Sequence, residues 1–577
     1  MSKFLAIKAK EKRPFLFQRM TVTAGHKHEF KWLLKNAMPL VLSYLLQNSL
    51  QSVSVVSAGH LGPHELAAAS LGSMFVTVTG ISVATGATLA LDTLCSQSFT
   101  SSDDKKIVGL HVQRCLAFLS LLYIPIAILW WYSESVFLLL RQDPTVAALA
   151  STYVRWMILA APAFALFEAL KKMLQAQGIF RAPTMTLLLI GAPLNLILSY
   201  SFVWSPSISL GFAGAPIASC FAQWATVIAL IYYIYKYDGY QAWPQWSTRA
   251  AYDWHAWGPM IKLAIPGILL ICTESWAYEI IALGASWIDT SSLGAQSIIL
   301  TSITALYTLA FGVGVASANR VGNLLGAGKP YQAKIAAQTA IGLSVIIATI
   351  NSSMLTLCRH SWARLFTSDA QVTSLVAKTL PLVAVFVFAD NIAGVADGVL
   401  NGQGRQHVGA LFNLGAYYLS SLPIGFYLCF RAQWGLLGLW SALAMSLIAA
   451  CVATLAVVLT TDWQKEVRKA EDRTSESVKA METHQQQPTA NPASGYPGVV
   501  GGTPANQRGV QGYDAYGNPI IPPFIAQRHQ IEQSLGPTCN GQYHELRMEY
   551  TNKTLLFAIL ILPYCCGWRG KRVVRSN

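Results

Sequence analysis

Between residues 33 and about 460 the chain is a succession of apolar runs, each near the roughly 20 residues needed to cross a hydrocarbon core as a helix. Only 12% of residues are charged, about half the usual share in a soluble globular protein. The runs are unbroken, not alternating, which excludes a β-barrel. The expected fold class is an all-α polytopic membrane protein. Twelve helices are predicted, over 36–58, 67–91, 111–132, 148–170, 184–204, 212–235, 259–285, 292–316, 335–357, 379–400, 409–430 and 435–460. The first 35 residues are basic and polar, with no apolar core of the kind a cleavable signal peptide requires.

The formal net charge is +14. Basic residues gather in the loops on one side, including Lys105, Lys106, Lys171, Lys172, Arg181, Lys236, Arg249, Lys262, Arg320, Lys329, Lys334 and Arg405. The opposite loops hold Arg141, Arg359, Arg364 and Arg431. This bias places the N-terminus in the cytoplasm, and it accounts for the charge without a nucleic-acid partner. Ten cysteines show no metal-ligand spacing and no legible disulfide framework.

An internal repeat divides the chain. "LQAQG" at 174–178 returns as "LNGQG" at 400–404, Gln97 matches Asn323 at the same offset of 226, and Pro39 matches Pro266 at 227. Six helices duplicated in one orientation predict two six-helix lobes related by an axis along the membrane normal, with a central cavity between them. The expected organisation is an N-terminal tail (1–35), an N-lobe (36–235), an inter-lobe loop (236–258), a C-lobe (259–460) and a mostly disordered C-terminal tail (461–577). Both ends of the core are expected to be cytoplasmic. Residues 484–523 are rich in Gln, Pro, Gly, Asn and Ala and cannot build a core. The apolar segment 554–566 is short of a span, and Cys565 and Cys566 beside a basic cluster are palmitoylation candidates.

The costly residues are carboxylates inside apolar runs. Glu274, in "ICTESWAYEIIALGASW", lies twelve residues past Lys262, roughly 18 Å along its helix. Tyr278 at i+4 shares its face, and Glu279 is rotated away. Asp390 lies fifteen residues before Arg405, roughly 22 Å in and so at similar depth. Asp390, Gly394, Asp397 and Asn401 form one stripe, which must face a bundle interior or wet cavity. No basic residue is expected at that depth, so these carboxylates are suited to exchanging protons or binding a cation. Asp92 lies near a predicted helix end, where a structural role is equally expected. Gln47, Asn48, Gln51 and Asn195 place amides on N-lobe helices; packing is favoured for Asn195 and cavity lining for Gln47 and Asn48. Trp276, Tyr278 and Tyr307 lie near the depth of Glu274, where aromatic faces beside carboxylates favour organic cations.

At these stretches the sequence resembles the multidrug and toxic compound extrusion (MATE) family, in its eukaryotic branch. The resemblance rests on "AGHLGPHELAAASLG", "ATLALDTLCSQSFTS", "KKMLQAQG", "ESWAYEI", "ALYTLAFGVGVASANRVGNLLGAG", "GVLNGQGRQHVGALFNLGAYYLSSLPIGFYL" and "TTDWQKE". It implies alternating access and export of small organic compounds in exchange for H⁺, less often Na⁺, with no bound cofactor. It places an essential carboxylate at Glu274 and a second acidic position at Asp390, and aligns Glu279 and Tyr307 with functional positions. The expected substrate-binding set is Tyr278, Tyr307, Trp276, Gln47, Asn48 and Asn195, and the coupling set Glu274, Asp390, Glu279 and Asp397. Asp397 stands where the family carries a small residue, and Asn401 where it often carries Arg. The expected setting is a plasma membrane or a vacuolar or endosomal membrane, with the protein a monomer. A lipid-linked flippase is the rival reading, disfavoured by the expected lack of Lys or Arg at the membrane midplane. An intramembrane enzyme would need a nucleophile constellation at membrane depth, and a channel would not need duplicated lobes.

Overall fold

The computed structural model describes residues 24–205, 208–243, 252 and 254–486. The stretch 487–523, the segment 554–566, and Cys565 and Cys566, about which the sequence raises expectations, lie outside them. Among the described residues there is no strand. The N-half helices are α1 (Ala24–Gly59), α2 (Pro63–Ser101), α3 (Lys106–Trp131), α4 (Pro144–Ala176), α5 (Arg181–Trp204) and α6 (Gly211–Lys236). The C-half helices are α7 (Gly258–Ser286), α8 (Thr290–Gly326), α9 (Pro330–Leu357), α10 (Ala370–Gln403), α11 (406–431) and α12 (Leu436–Leu459). They form the expected twelve-span protein, six helices to each lobe. Nine of the twelve are long and apolar enough, by length and composition, to cross a membrane. Helix α11 is interrupted by two π-turns, at Gly415–Ser421 and Tyr427–Arg431.

The repeat has a physical basis at helix ends. Asp143 and Asp369, 226 residues apart, each cap a long helix: Thr145 and Val146 donate backbone N–H groups to Asp143, and Gln371 and Val372 to Asp369. A side-chain acceptor here satisfies amides that have no partner within the helix. The same two helices, α4 and α10, are followed by Gly178 (φ +82°) and Gly404 (φ +75°), where the left-handed backbone that ends a helix favours glycine. "LQAQG" and "LNGQG" are thus two copies of one helix stop.

Between the halves lies a seam built from the same repeat. Gln97 Nε2 on α2 donates to Gly402 O at the end of α10 (2.9 Å), and its counterpart Asn323 Nδ2 on α8 donates to Ala176 O at the end of α4 (3.1 Å). Ala176 and Gly402 are themselves repeat mates. Thr100 adds a bond to Asn323 O (2.8 Å), and Gln406 donates to Thr93 (2.8 Å). Gly322 and Gly326 make the approach possible, because a Cβ at either would strike Ser96 or Gln97. Arg320 donates twice to Glu29 on α1, at 2.9 and 2.6 Å. All these contacts lie on the face where α1 begins and α12 ends, here called the terminal face. The lobes are closed against each other there.

The structure adds an element to the start of the tail. Residues 463–486, read from sequence as part of a mostly disordered segment, form a 24-residue helix, α13 (Trp463–Gln486). Asp462 caps it, accepting from the amides of Gln464 and Lys465. Trp463, Val467, Ala470, Thr474 and Ser477 are buried, a stripe at helical spacing. Charged residues on the other face dominate the composition and mask that stripe. Arg473 straddles the seam, donating to Gln97 Oε1 of the N-half (2.9 Å) and Gln403 O of the C-half (3.0 Å). Arg473→Ala removes two hydrogen bonds from a charged donor, each worth about 1.5–3 kcal/mol. It is therefore expected to lower the thermal-unfolding midpoint measurably, whereas the same change at exposed Arg468 leaves it in place.

Candidate functional site

Among the cavities between the helices, two hold buried charged groups, one in each half, and they differ in charge. In the C-half, Glu274 on α7, Tyr307 on α8, and Asp397 and Asn401 on α10 line a small cavity of about 30 Å³, with Asp92 at its edge. Tyr278 OH donates to Glu274 Oε1 at 3.4 Å. The Tyr278 ring packs edge-on to Phe386 and Tyr417, at 6.3 and 6.1 Å between centroids. Asp390 is buried about two turns before Asp397, and its Oδ2 has no hydrogen-bond partner. Asp397 Oδ1 and Asn401 Oδ1 are likewise buried without partners. Glu274, Asp390 and Asp397 are close enough that their charges act on one another.

Small residues on α10 create this arrangement. A Cβ at Gly394 would lie 2.7 Å from Tyr307 OH, and one at Gly398 would lie 2.3 Å from Gly314 O. Helices α8 and α10 therefore touch backbone to backbone, and Tyr307 lies against bare helix. Asp397 occupies the space that Gly409 of α11 leaves open.

The N-half cavity is larger, about 190 Å³. Tyr44, Phe164, Phe167 and Phe311 supply aromatic walls, and Gln47, Asn48, Gln51 and Glu168 supply polar groups. Gln47 donates to Glu168 Oε1 (2.7 Å) and accepts from Lys171 Nζ (3.2 Å). Lys171 Nζ also meets Glu168 Oε1 at 2.5 Å, and both side chains are almost wholly buried. Behind them Lys172 Nζ lies 2.6 Å from Asp92 Oδ2, again with both groups buried. Asn319 of the C-half donates to the other oxygen of Asp92 at 3.2 Å.

Several of these positions differ from expectation, while Asn195 packs as favoured. Lys171 and Lys172 are not loop residues. Helix α4 runs to Ala176, which sets both ammoniums inside the bundle. Helix α2 runs to Ser101, ten residues beyond its predicted end. Asp92 is thus roughly 13 Å from that end at 1.5 Å per residue, in a buried ion pair and not a cap. Asn195 is fully buried, donating to Leu50 O (3.0 Å) and accepting from Ser219 (3.3 Å). It joins α5 to α1 and α6 and lines neither cavity. Trp276 is turned to the inter-lobe face, where its Nε1 donates to Val78 O of α2 at 3.1 Å. Glu279 stands half-buried on α7, outside both linings. Sequence reasoning missed the Glu168–Lys171 pair, although its i, i+3 spacing is an ion-pair signal.

The family model described as MatE matches residues 39–201 and again 266–427, one copy in each half. This chain belongs to the MATE family. The MATE chain is 35% identical over 464 residues to multidrug and toxin extrusion protein 1 of Oryctolagus cuniculus, covering 80% of each protein. It is 33% identical to Protein DETOXIFICATION 16 of Arabidopsis thaliana, covering 78% of this chain and 93% of the other. An uncharacterized transporter of Schizosaccharomyces pombe is 46% identical over 420 residues, 73% of this chain and 77% of the other. Among solved structures, the eukaryotic MATE transporter AtDTX14 superposes with a TM-score of 0.73 at 29% identity, over 78% of this chain and all of the other. The two-lobed membrane fold is therefore that of MATE transporters, a family of carriers and not enzymes.

Proposed function

We propose that this MATE protein exports organic cations in exchange for protons by alternating access, with Glu274 and Asp390 as the exchange pair. The observation that carries this reading is the contrast between the halves. The buried carboxylates of the N-half, Glu168 and Asp92, each hold a lysine. The cavity around Glu274 and Asp397 is lined by no Lys or Arg. Unpaired carboxylates in a low-dielectric interior need a positive partner. Protons and cationic substrates can fill that need in turn.

The cycle follows from competition for one negative charge. Protons entering from the acidic side neutralise the C-half carboxylates and release substrate. After the lobes rock, the protons leave to the cytoplasm and the freed carboxylates attract the next cation. The terminal face is cytoplasmic in this reading, so its closed seam belongs to the outward-facing state. Tyr278 orients Glu274 through its hydroxyl, and Tyr307, in the cavity lining, presents its ring to substrate. Asp397, further along the same stripe of α10, adds a third negative charge and a preference for cations over neutral compounds. The buried lysines revive a flippase reading, since phosphate would need them. Both ammoniums, however, already face carboxylates, which leaves no net positive charge for a phosphate.

Binding and proton release should be linked. Calorimetric titration of tetraethylammonium into purified protein, in buffers of different ionisation enthalpy, should show protons released on binding. The release should fall in Asp390→Asn. Binding with no proton release in any buffer would remove the exchange reading.

A further inference from the structure

Lys171 receives from its surroundings what an organic ammonium would ask of a binding site. Its Nζ faces a carboxylate oxygen (Glu168, 2.5 Å), an amide oxygen (Gln47, 3.2 Å) and two aromatic rings. Tyr44 and Phe167 lie 4.3 and 5.7 Å from it by ring centroid, inside the range of cation–π attraction. All four of these partners also line the 190 Å³ N-half cavity. The ammonium sits behind a wall whose front surface is open to a ligand.

The repeat sharpens the point. At the offset of 226, Lys171 corresponds to Asp397, and at the offset of 227 set by the two prolines, Gln47 corresponds to Glu274. Where the C-half places two carboxylates without a basic partner, the N-half places an amide and a lysine that answers the carboxylate one turn earlier.

We propose that the N-half cavity is a second organic-ammonium site whose binding groups are held by the protein's own Lys171, a tethered surrogate of the substrate that sets how strongly this half binds cations. This rests on the reading that organic cations reach the central cavity. Lys171 keeps Glu168 compensated while the site is empty, so the empty carrier does not bear an uncompensated buried carboxylate. A ligand cation must share or replace it, which keeps affinity low and release easy. The charged groups that face Lys171 are Glu168 on its own helix, Lys172 beside it and Asp92 from α2, with Tyr44 from α1. Of the charged groups, only Glu168 both touches the ammonium and lines the cavity.

The test is equilibrium binding of tetraethylammonium by calorimetry, without any gradient and in a Glu274→Gln background, so that it does not depend on the C-half exchange pair. Lys171→Met keeps the side chain's length and removes its charge. It should bind tetraethylammonium at least tenfold more tightly than the Glu274→Gln parent. Adding Glu168→Gln to Lys171→Met should cancel the gain, and Lys171→Arg should not show it. Should Lys171→Met fail to fold, Glu168→Gln alone serves: it leaves the ammonium without its carboxylate, so tetraethylammonium binding should weaken and benzoate binding should appear. Unchanged or weaker tetraethylammonium binding in folded Lys171→Met would overturn the proposal, as would a gain that survives Glu168→Gln. Neither result would bear on proton exchange at Glu274.

Discussion

Replacing Lys172 alone with Met is expected to cost about 3–5 kcal/mol of stability, the usual result of removing one partner of a buried ion pair. Asp92 would keep only Asn319 as a partner, at 3.2 Å, in a site where it is 1% exposed. An uncompensated charge there must be desolvated without return. The double variant Lys172→Met with Asp92→Asn should recover most of the loss, because a neutral pair of similar volume carries no such penalty. The pair also ties α2 to α4, and through Asn319 to the C-half, so the single variant should loosen the seam as well. Thermal unfolding of the three proteins in one detergent measures the effect. Equal destabilisation of the single and double variants would show that packing, not charge, sets it.

Glu274→Gln is expected to reduce proton-driven uptake of organic cation by at least about tenfold, because a gradient can drive transport only through a group that binds the proton and the substrate differently. The substitution preserves shape, and the glutamine can still receive the hydroxyl of Tyr278. Folding should be unaffected, since removing an unpaired buried charge is not destabilising. Substrate-for-substrate counterflow needs no proton step and should persist at a reduced rate through Asp390 and Asp397. Loss of counterflow to the same extent as driven uptake would place Glu274 in substrate binding alone.

Much of this molecule was legible in its sequence, and the parts that were not share a cause. All twelve spans were found, because apolar runs and glycine or proline stops are local signals. The repeat is legible through three landmarks at nearly one offset: the five residues that end a helix, the pair Gln97 and Asn323, and the pair Pro39 and Pro266. Helix ends were misjudged where polar residues continue a helix inside the protein. Helix α2 runs on through "DTLCSQSFTS", whose hydroxyls and carboxylate look like a loop until the other half covers them. Lys171 and Lys172 failed in the same way. Charge in sequence reads as solvent exposure, and only the fold reveals that Glu168 and Asp92 wait for them inside. Helix α13 was hidden by composition, since a narrow buried stripe does not offset a charged exterior. The C-half stripe Asp390, Gly394, Asp397, Asn401 was readable because its spacing places all four on one side of one helix, and Gly394 and Gly398 have no other use than close approach.

The most direct test of the central claim is uptake of labelled tetraethylammonium into proteoliposomes, with a pH gradient and a Na⁺ gradient imposed separately on wild type and Glu274→Gln. The account predicts uptake that follows the pH gradient, ignores Na⁺, and falls to background in Glu274→Gln. Uptake that follows Na⁺ alone, or proton-driven uptake that survives at the wild-type rate in folded Glu274→Gln, would contradict it.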